Sequence, residues 1–240
     1  MLIPKFIGCV HGNISKEIGV LHDWPGHLWK RPARPLPCVD EASQLERFRY
    51  LLAHGAKEGL VEPPREWPGV SCVATLLGEG ELRGTWFDRD SHTHAKHNEK
   101  PRDWPSPYDF SRSHVVTFDP LPCLAHLSPA EYRAYVADQI AGIEAECRRK
   151  FPSVLGVGAI LRTDPHHRPG HTKKSPAPLC HASTQKNFLD YRKKYRMFVA
   201  AYRAAAKWLK EEAQAVLSGF SAKFPQHAFP PGMPMVMPGG

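Results

Sequence analysis

The sequence predicts a mainly α-helical protein, in which amphipathic helices are joined by proline-rich extended connections, with at most short strands. Apolar residues recur at helical spacing in four stretches, and they make up 42% of the chain, enough to bury a core. Proline accounts for 24 of the 240 residues, about twice its ordinary usage, so the helices must be interrupted often. No apolar run reaches 18 residues, which predicts that no helix crosses a membrane.

The first two helices are predicted from apolar periodicity and end signals. Between residues 5 and 22, apolar side chains return every fourth position and line one helical face, at Phe6, Val10, Ile14 and Ile18. A second helix begins at Asp40, because aspartate is a good N-cap, and stops near Gly55.

The third and fourth helices lie in the second half of the chain. Ser128-Pro129-Ala130-Glu131 is a capping box with proline at the first helical position. The buried stripe that follows it is predicted at Tyr132, Val136, Ile140, Ile143 and Cys147. The longest helix is predicted from Thr184 to Leu217, and the stripe along it is interpreted as core rather than as a base-stacking surface: Phe188, Tyr191, Tyr195, Phe198, Tyr202, Ala206, Leu209 and Ala213.

The remaining stretches divide the chain. Residues 82–122 are polar and lack periodicity, so we expect an irregular connection there, with one short strand in SHVVTFDPL. The apolar run GVGAIL at 156–161 also suggests a strand. The predicted organisation is a helical region at 1–90, a polar linker at 91–120, and a basic helical region with a proline-rich tail at 121–240.

Positive charge is concentrated late in the chain. The net charge is +8, yet residues 1–120 hold 15 Lys and Arg against 16 Asp and Glu. Residues 148–210 hold 15 basic residues against two acidic ones, which gives +13. Such asymmetry indicates a polyanionic partner, and nucleic acid is the common one. A basic face kept for solubility is the alternative.

The predicted phosphate contacts lie in a proline-rich loop and on the helix that follows. They are Arg162, Arg168, Lys173, Lys174, Arg192, Lys193, Lys194 and Arg196. Helical spacing also places several basic side chains on one broad face, away from the aromatic stripe: Lys186, Lys193, Arg196, Arg203, Lys207 and Lys210. A helix with one charged side can follow a phosphate backbone, but nothing here identifies a residue that reads bases.

Neither a metal site nor a catalytic residue is predicted. The histidines at 92, 94 and 97 and those at 166, 167, 171 and 181 match no structural zinc spacing. A His-x-His pair on a strand can hold a divalent ion, but His92-Thr93-His94 lies in no strand pattern and is interpreted as a solvated loop. No tyrosine has a discernible activating partner, and phosphate-loop, dinucleotide and hydrolase motifs are missing.

The six cysteines, at 9, 38, 72, 123, 147 and 180, form no CxxC pair. They are interpreted as free thiols in a reducing compartment. The first residues lack the apolar segment and cleavage site of a signal peptide, so a cytoplasmic protein is expected.

Residues 5–90 resemble the segment of REP-associated tyrosine transposases, an HUH-type single-tyrosine family, that follows their catalytic strand. A helix leads to a glycine-x-leucine-tryptophan turn at 26–29, and an aspartate-led helix ends in Tyr-Leu-Leu-Ala at 50–53. A Gly-Leu-Val turn at 59–61 and a Trp-Pro-Gly-Val element at 67–70 follow in the same order. The basic loop, the long helix and the closing FPPGMPMV look like C-terminal extensions of some transposase-like proteins.

The resemblance implies cutting and joining of single-stranded DNA at palindromic elements, with a divalent metal such as Mg²⁺ held by a histidine pair. It also implies that the ferredoxin-like palm with that pair is largely missing here. The family's tyrosine aligns near Ser15 to Glu17, where no tyrosine stands. We therefore expect a truncated or decayed copy that binds DNA, single-stranded or hairpin, and needs no cofactor of its own. Lys30, Arg31 and Arg34 are further expected helpers in DNA binding.

Two alternatives remain open. The long helix could pair with a helix of a partner protein, without any role in DNA binding. The chain could also be an active nuclease that uses His92, His94 and a distant tyrosine.

Overall fold

A computed structural model describes residues 3–29, 32–98, 103–167, 177–212, 224–225 and 228. The described residues are mainly helical, with 58% helix and 7% strand, which confirms the prediction of a mainly α-helical protein. In chain order the helices and strands are α1 (Ile3–His22), α2 (Glu41–Leu52), α3 (Val73–Leu77), β1 (Leu82–Phe87), α4 (Arg89–Asn98), β2 (Ser111–Val116), α5 (Pro129–Lys150), α6 (Val157–Leu161) and α7 (Gln185–Glu212).

The chain divides into two compact units. The first unit comprises residues 1–33 and 44–173, and the second comprises residues 34–43 and 174–240. Residues 91–120, where the sequence predicts a linker, therefore belong to the first unit.

The core of the first unit is built around α5. The five residues predicted for its stripe, Tyr132, Val136, Ile140, Ile143 and Cys147, are all buried, and they pack with residues of α2 and α3. The helix begins at the predicted capping box: the Ser128 hydroxyl accepts from the Glu131 N–H at 3.3 Å, and the Glu131 carboxylate accepts from the Ser128 N–H at 2.8 Å. These bonds satisfy amide groups that have no partner within the helix.

The indole of Trp67 accounts for the presence of glycine at positions 55 and 69, after the end of α2. At Gly55, φ is +88°, and a Cβ atom there would lie 2.8 Å from Cε3 of Trp67. A Cβ atom on Gly69 would lie 2.6 Å from the Trp67 indole nitrogen. The indole thus covers both backbones at van der Waals distance, which only glycine permits.

Helix α1 forms where the sequence predicts it, but none of its residues is buried. Phe6 is 49% exposed, whereas Ile14 and Ile18 line a pocket with Thr85, Trp86 and Phe87 of β1. The Trp29 ring stacks on His11 with centroids 4.3 Å apart, and its indole N–H donates to the His11 carbonyl at 3.0 Å. These contacts hold the glycine-x-leucine-tryptophan turn against the helix.

The prediction of an irregular connection at 82–122 was wrong, although the short strand expected in SHVVTFDPL is present, as part of β2. β1 and β2 form a two-stranded antiparallel sheet, with register from Leu82 opposite Val116 to Phe87 opposite Ser111, and α4 lies between them in sequence. Asp88 caps α4 by accepting from the N–H and the hydroxyl of Ser91, at 3.0 and 2.8 Å. The buried side chain of α4 is a histidine, so this helix has no apolar stripe. The periodicity of apolar residues therefore could not predict it.

The strand expected at 156–161 is also absent from the described structure. Val157–Leu161 is the short helix α6, which follows Gly156 at φ +84°. A brief apolar run does not distinguish a strand from a buried helical turn.

Replacing Ile143 with alanine should lower the free energy of unfolding of the first unit by roughly 2–5 kcal/mol, because it leaves a cavity in the core. Ile143 is 3% exposed. Urea denaturation followed by tryptophan fluorescence measures the loss, since five of the six tryptophans lie in this unit. The exposed Arg149→Ala on the same helix is the control and should change the midpoint little. Equal effects of the two substitutions would contradict the assigned core.

Candidate nucleic-acid interface

The second unit is organised around the carboxylate of Asp40. Residues 37–39 run beside His181 in a parallel bridge, in which the His181 N–H donates to the Pro37 carbonyl at 2.8 Å and the Val39 N–H donates to the His181 carbonyl at 3.0 Å. This pairing brings Asp40 to the start of α7. One carboxylate oxygen then accepts from the Ser183 N–H at 2.9 Å and from the Asn187 side chain at 3.0 Å.

The same carboxylate also caps α2, since its other oxygen accepts from the Ser43 N–H at 2.8 Å. The Ser183 backbone bond and then the Asn187 side-chain bond hold the pKa of Asp40 well below its usual range. A negative charge beside a helix N-terminus is favourable. At the start of α7, the Thr184 hydroxyl adds a bond from the Asn187 N–H at 3.1 Å, so the helix begins where the sequence predicts.

Three arginines of α7 form an axial row. Successive residues turn by about 100° around a helix, so Arg203 lies about 20° and Arg196 about 40° from Arg192. The row is about 16 Å long, from the rise of 1.5 Å per residue. All three side chains are exposed. We call Arg192, Arg196 and Arg203 the arginine row.

Lys193 and Lys194 lie on different sides of this row. Lys193 is about 100° from Arg192 and borders the row, whereas Lys194 is about 200° away, on the opposite side of the helix. Both side chains are exposed. Lys194 therefore does not share a helical face with Arg192 and Arg196, although all three are predicted phosphate contacts.

The arginine row has no acidic partners in the part of the chain that the structure describes. No ion pair joins Arg192, Arg196 or Arg203 to a described carboxylate. In the first unit, six cations form ion pairs with glutamates, although others such as Arg65 and Arg149 form none with the residues described; the six are Arg47, Arg49, Lys57, Arg83, Arg89 and Arg148. The positive charge of the arginine row is thus available for an external anion.

The aromatic stripe of α7 is only partly core. Ala205 and Leu209 are buried, but Tyr195 is 41% and Phe198 is 40% exposed. Their rings run nearly parallel to those of Tyr191 and Tyr202, with interplanar angles of 18° in each pair. The interpretation of this stripe as core is wrong for its middle, where aromatic surface stays open to solvent.

The other predicted phosphate contacts fall in three places. Arg34 is exposed in the second unit and acts electrostatically on Tyr191, whose pKa is raised chiefly by burial. Arg162 is exposed in the first unit, at the end of α6. The remaining residues lie outside the described part of the chain: Lys30, Arg31, Arg168, Lys173 and Lys174.

The structure does not bring His92 and His94 together. Both lie on α4 rather than in a solvated loop, and two positions apart on a helix means about 200°. His92 is 7% exposed and packs between Phe87 and Phe110, with ring centroids at 5.2 and 5.3 Å. His94 is exposed. Within the described residues, no three His, Cys, Asp or Glu side chains are grouped for a metal ion.

No known protein family, curated protein or solved structure matches this chain. Among the described helices, none combines the length and the apolar character needed to span a bilayer.

Asp40→Asn should weaken the start of α7, because an amide N–H cannot accept the two hydrogen bonds that one carboxylate oxygen now accepts from Ser183 and Asn187. The lowered pKa means that the carboxylate stabilises the fold above its unfolded value of 3.8, and that this contribution is lost as the pH falls below it. Hydrogen exchange of peptides covering 185–195 should therefore be several-fold faster in the variant at pH 7. The wild type should approach the variant on acidification.

Asp190→Asn, at an exposed position of α7, is the matched control and should leave that exchange unchanged. Equal exchange in Asp40→Asn and wild type at neutral pH would contradict the role given to Asp40.

Proposed function

We propose that this protein binds nucleic acid through the arginine row of α7. The observation that carries the proposal is the pairing difference: glutamates neutralise six cations of the first unit, while the row has no acidic partner among the described residues. Guanidinium groups suit phosphates because their planar N–H groups bind two oxygens at once. A row about 16 Å long reaches about five phosphates of one strand at 3.4 Å each.

We further propose that the DNA-binding role descends from a REP-associated tyrosine transposase, although no tyrosine stands at the family's nucleophile position near Ser15 to Glu17. The motifs of residues 5–90, which follow one another in the same order as in that family, support this proposal. Contacts that hold those motifs add support, such as Trp29 on His11 and Trp67 over Gly55. The ligand is then DNA with single-stranded or hairpin character. The proposal places the protein in the cytoplasm, where its six unpaired cysteines remain reduced.

A second candidate function is pairing of α7 with a helix of a partner protein. Exposed aromatic side chains favour it, since Tyr195 is 41% and Phe198 is 40% exposed on this helix. Such a partner would bury the aromatic side and leave the arginine row in solvent.

The test measures fluorescence anisotropy of a fluorescein-labelled DNA hairpin with a single-stranded tail. The variant Arg192→Gln/Arg196→Gln/Arg203→Gln should weaken binding at least roughly tenfold at low salt, since three phosphate contacts are lost. Glutamine keeps the helix, because its helix propensity is close to that of arginine.

The matched control removes the same charge from the first unit, with the exposed arginines replaced in Arg65→Gln/Arg83→Gln/Arg149→Gln. It should change the affinity by about twofold or less, as expected for nonspecific screening. Lys193→Gln should weaken binding more than Lys194→Gln, because only Lys193 borders the row. Equal losses in both triple variants, or no binding by the wild type at low salt, would refute the proposal and favour the protein partner.

A further inference from the structure

The two-stranded sheet of the first unit, which we call the β-ribbon, leaves one face open. Alternation of side chains puts Leu82, Gly84 and Trp86 of β1 on this face, and the register sets Val116, His114 and Arg112 of β2 opposite them. Trp86 is 44% and Val116 is 42% exposed. On the other face, Phe87 packs on His92 with ring centroids 5.2 Å apart, while Val115 is 45% exposed.

Gly84 makes a gap in the open face. Side chains on one face of a strand repeat every two residues, so the side chains of Leu82 and Trp86 are separated by about 13 Å along β1. A cavity of about 350 Å³ lies over this gap, and it is lined by Gly84, Thr85, Trp86, His114 and Val116. This volume is at the lower end of the range for ligand sites.

The fold itself does not require glycine at position 84. Its φ is outside the left-handed region, and a Cβ atom added there would meet no atom within 4 Å. Glycine also weakens a strand relative to a side chain that packs. The gap beside Trp86 is therefore available to a ligand, and any larger side chain would fill it.

The groups around the gap select for a planar ring that carries an anion. The exposed Trp86 indole offers a stacking surface. Arg112 stands directly across the strands, where paired Cβ atoms are about 5 Å apart, and its guanidinium suits phosphate. Arg112 also acts electrostatically on Asp88, but that carboxylate is bonded to Ser91. The His114 imidazole can donate to or accept from the heteroatom edge of a base, which a phenyl ring lacks.

We propose that the open face of the β-ribbon binds one nucleotide, with its base stacked on Trp86 in the gap at Gly84 and its phosphate on Arg112. The nucleotide is either free or part of a strand. The proposal is independent of the proposed function, because the site belongs to the first unit and takes a mononucleotide.

The test follows the indole N–H resonance of Trp86 in ¹⁵N-labelled protein, assigned with Trp86→Phe, during titration with deoxyadenosine monophosphate. A saturable shift is expected. Gly84→Val should abolish it, whereas Ser113→Val, on the opposite face of the same ribbon, should leave it unchanged. Arg112→Gln should lower the affinity for the nucleotide by roughly fivefold. It should not change the affinity for deoxyadenosine, which has no phosphate.

Two further titrations are needed. One distinguishes a free nucleotide from a nucleotide within a strand, and the other distinguishes this proposal from the proposed function of α7. A deoxyadenylate hexamer that binds more tightly than the mononucleotide identifies a strand as the ligand, and equal affinity identifies the free nucleotide. The variant lacking the arginine row should keep the mononucleotide shift, even if it loses the hairpin. No shift of Trp86 with the mononucleotide, the same shift in Gly84→Val, or the whole shift with inorganic phosphate alone would overturn the proposal.

Discussion

Unbalanced positive charge along α7 is the constraint on which the account of this protein depends. Like charges on neighbouring turns repel one another, and a helix carries them at low cost only when an anion or solvent screens them. In the first unit, glutamates beside six of the cations supply that balance within the fold, as Glu146 does for Arg49 at 2.7 Å. In the described part of the second unit, the arginine row is left to solvent or to a partner. A polyanion satisfies this constraint and gains entropy by releasing its counterions.

Asp40 shows how the second unit orients such a helix. The carboxylate is too exposed for its charge to be costly, yet it collects donors from Ser43, Ser183 and Asn187. It therefore fixes the N-terminus of α7 with negative charge, and the arginines follow from the second turn onward. The negative charge of Asp40 stabilises the start of α7, and the positive charges of the arginine row extend along the exposed side of the helix.

Sequence periodicity predicted the elements that bury apolar stripes. All five stripe residues of α5 are buried, because a capping box and a 3.6-residue period agree there. It failed where stability comes from polar contacts or from pairing distant in sequence. Helix α4 rests on the Asp88 cap and a buried histidine, and the β-ribbon pairs residues separated by the whole of α4. The middle of the α7 stripe looked like core because the sequence does not show which periodic face is left uncovered.

The candidate interface was predictable from the sequence only in part. Composition indicated a basic region, and helical spacing placed Arg196 and Arg203 on one face. The sequence could not show that glutamates leave this row unpaired, nor that Asp40 joins Ser183 across more than 140 residues of chain. The gap at Gly84 became visible only through register, since its meaning depends on His114 and Arg112 across the strands.

The most direct test of the central claim is the salt dependence of the binding constant for the single-stranded or hairpin DNA. Three phosphate contacts from the arginine row predict that log K falls with log salt with a slope of about −2 to −3. The variant without the row should show a slope shallower by about 2. A binding constant that does not change with salt, or a slope that stays the same after the row is removed, would contradict the account.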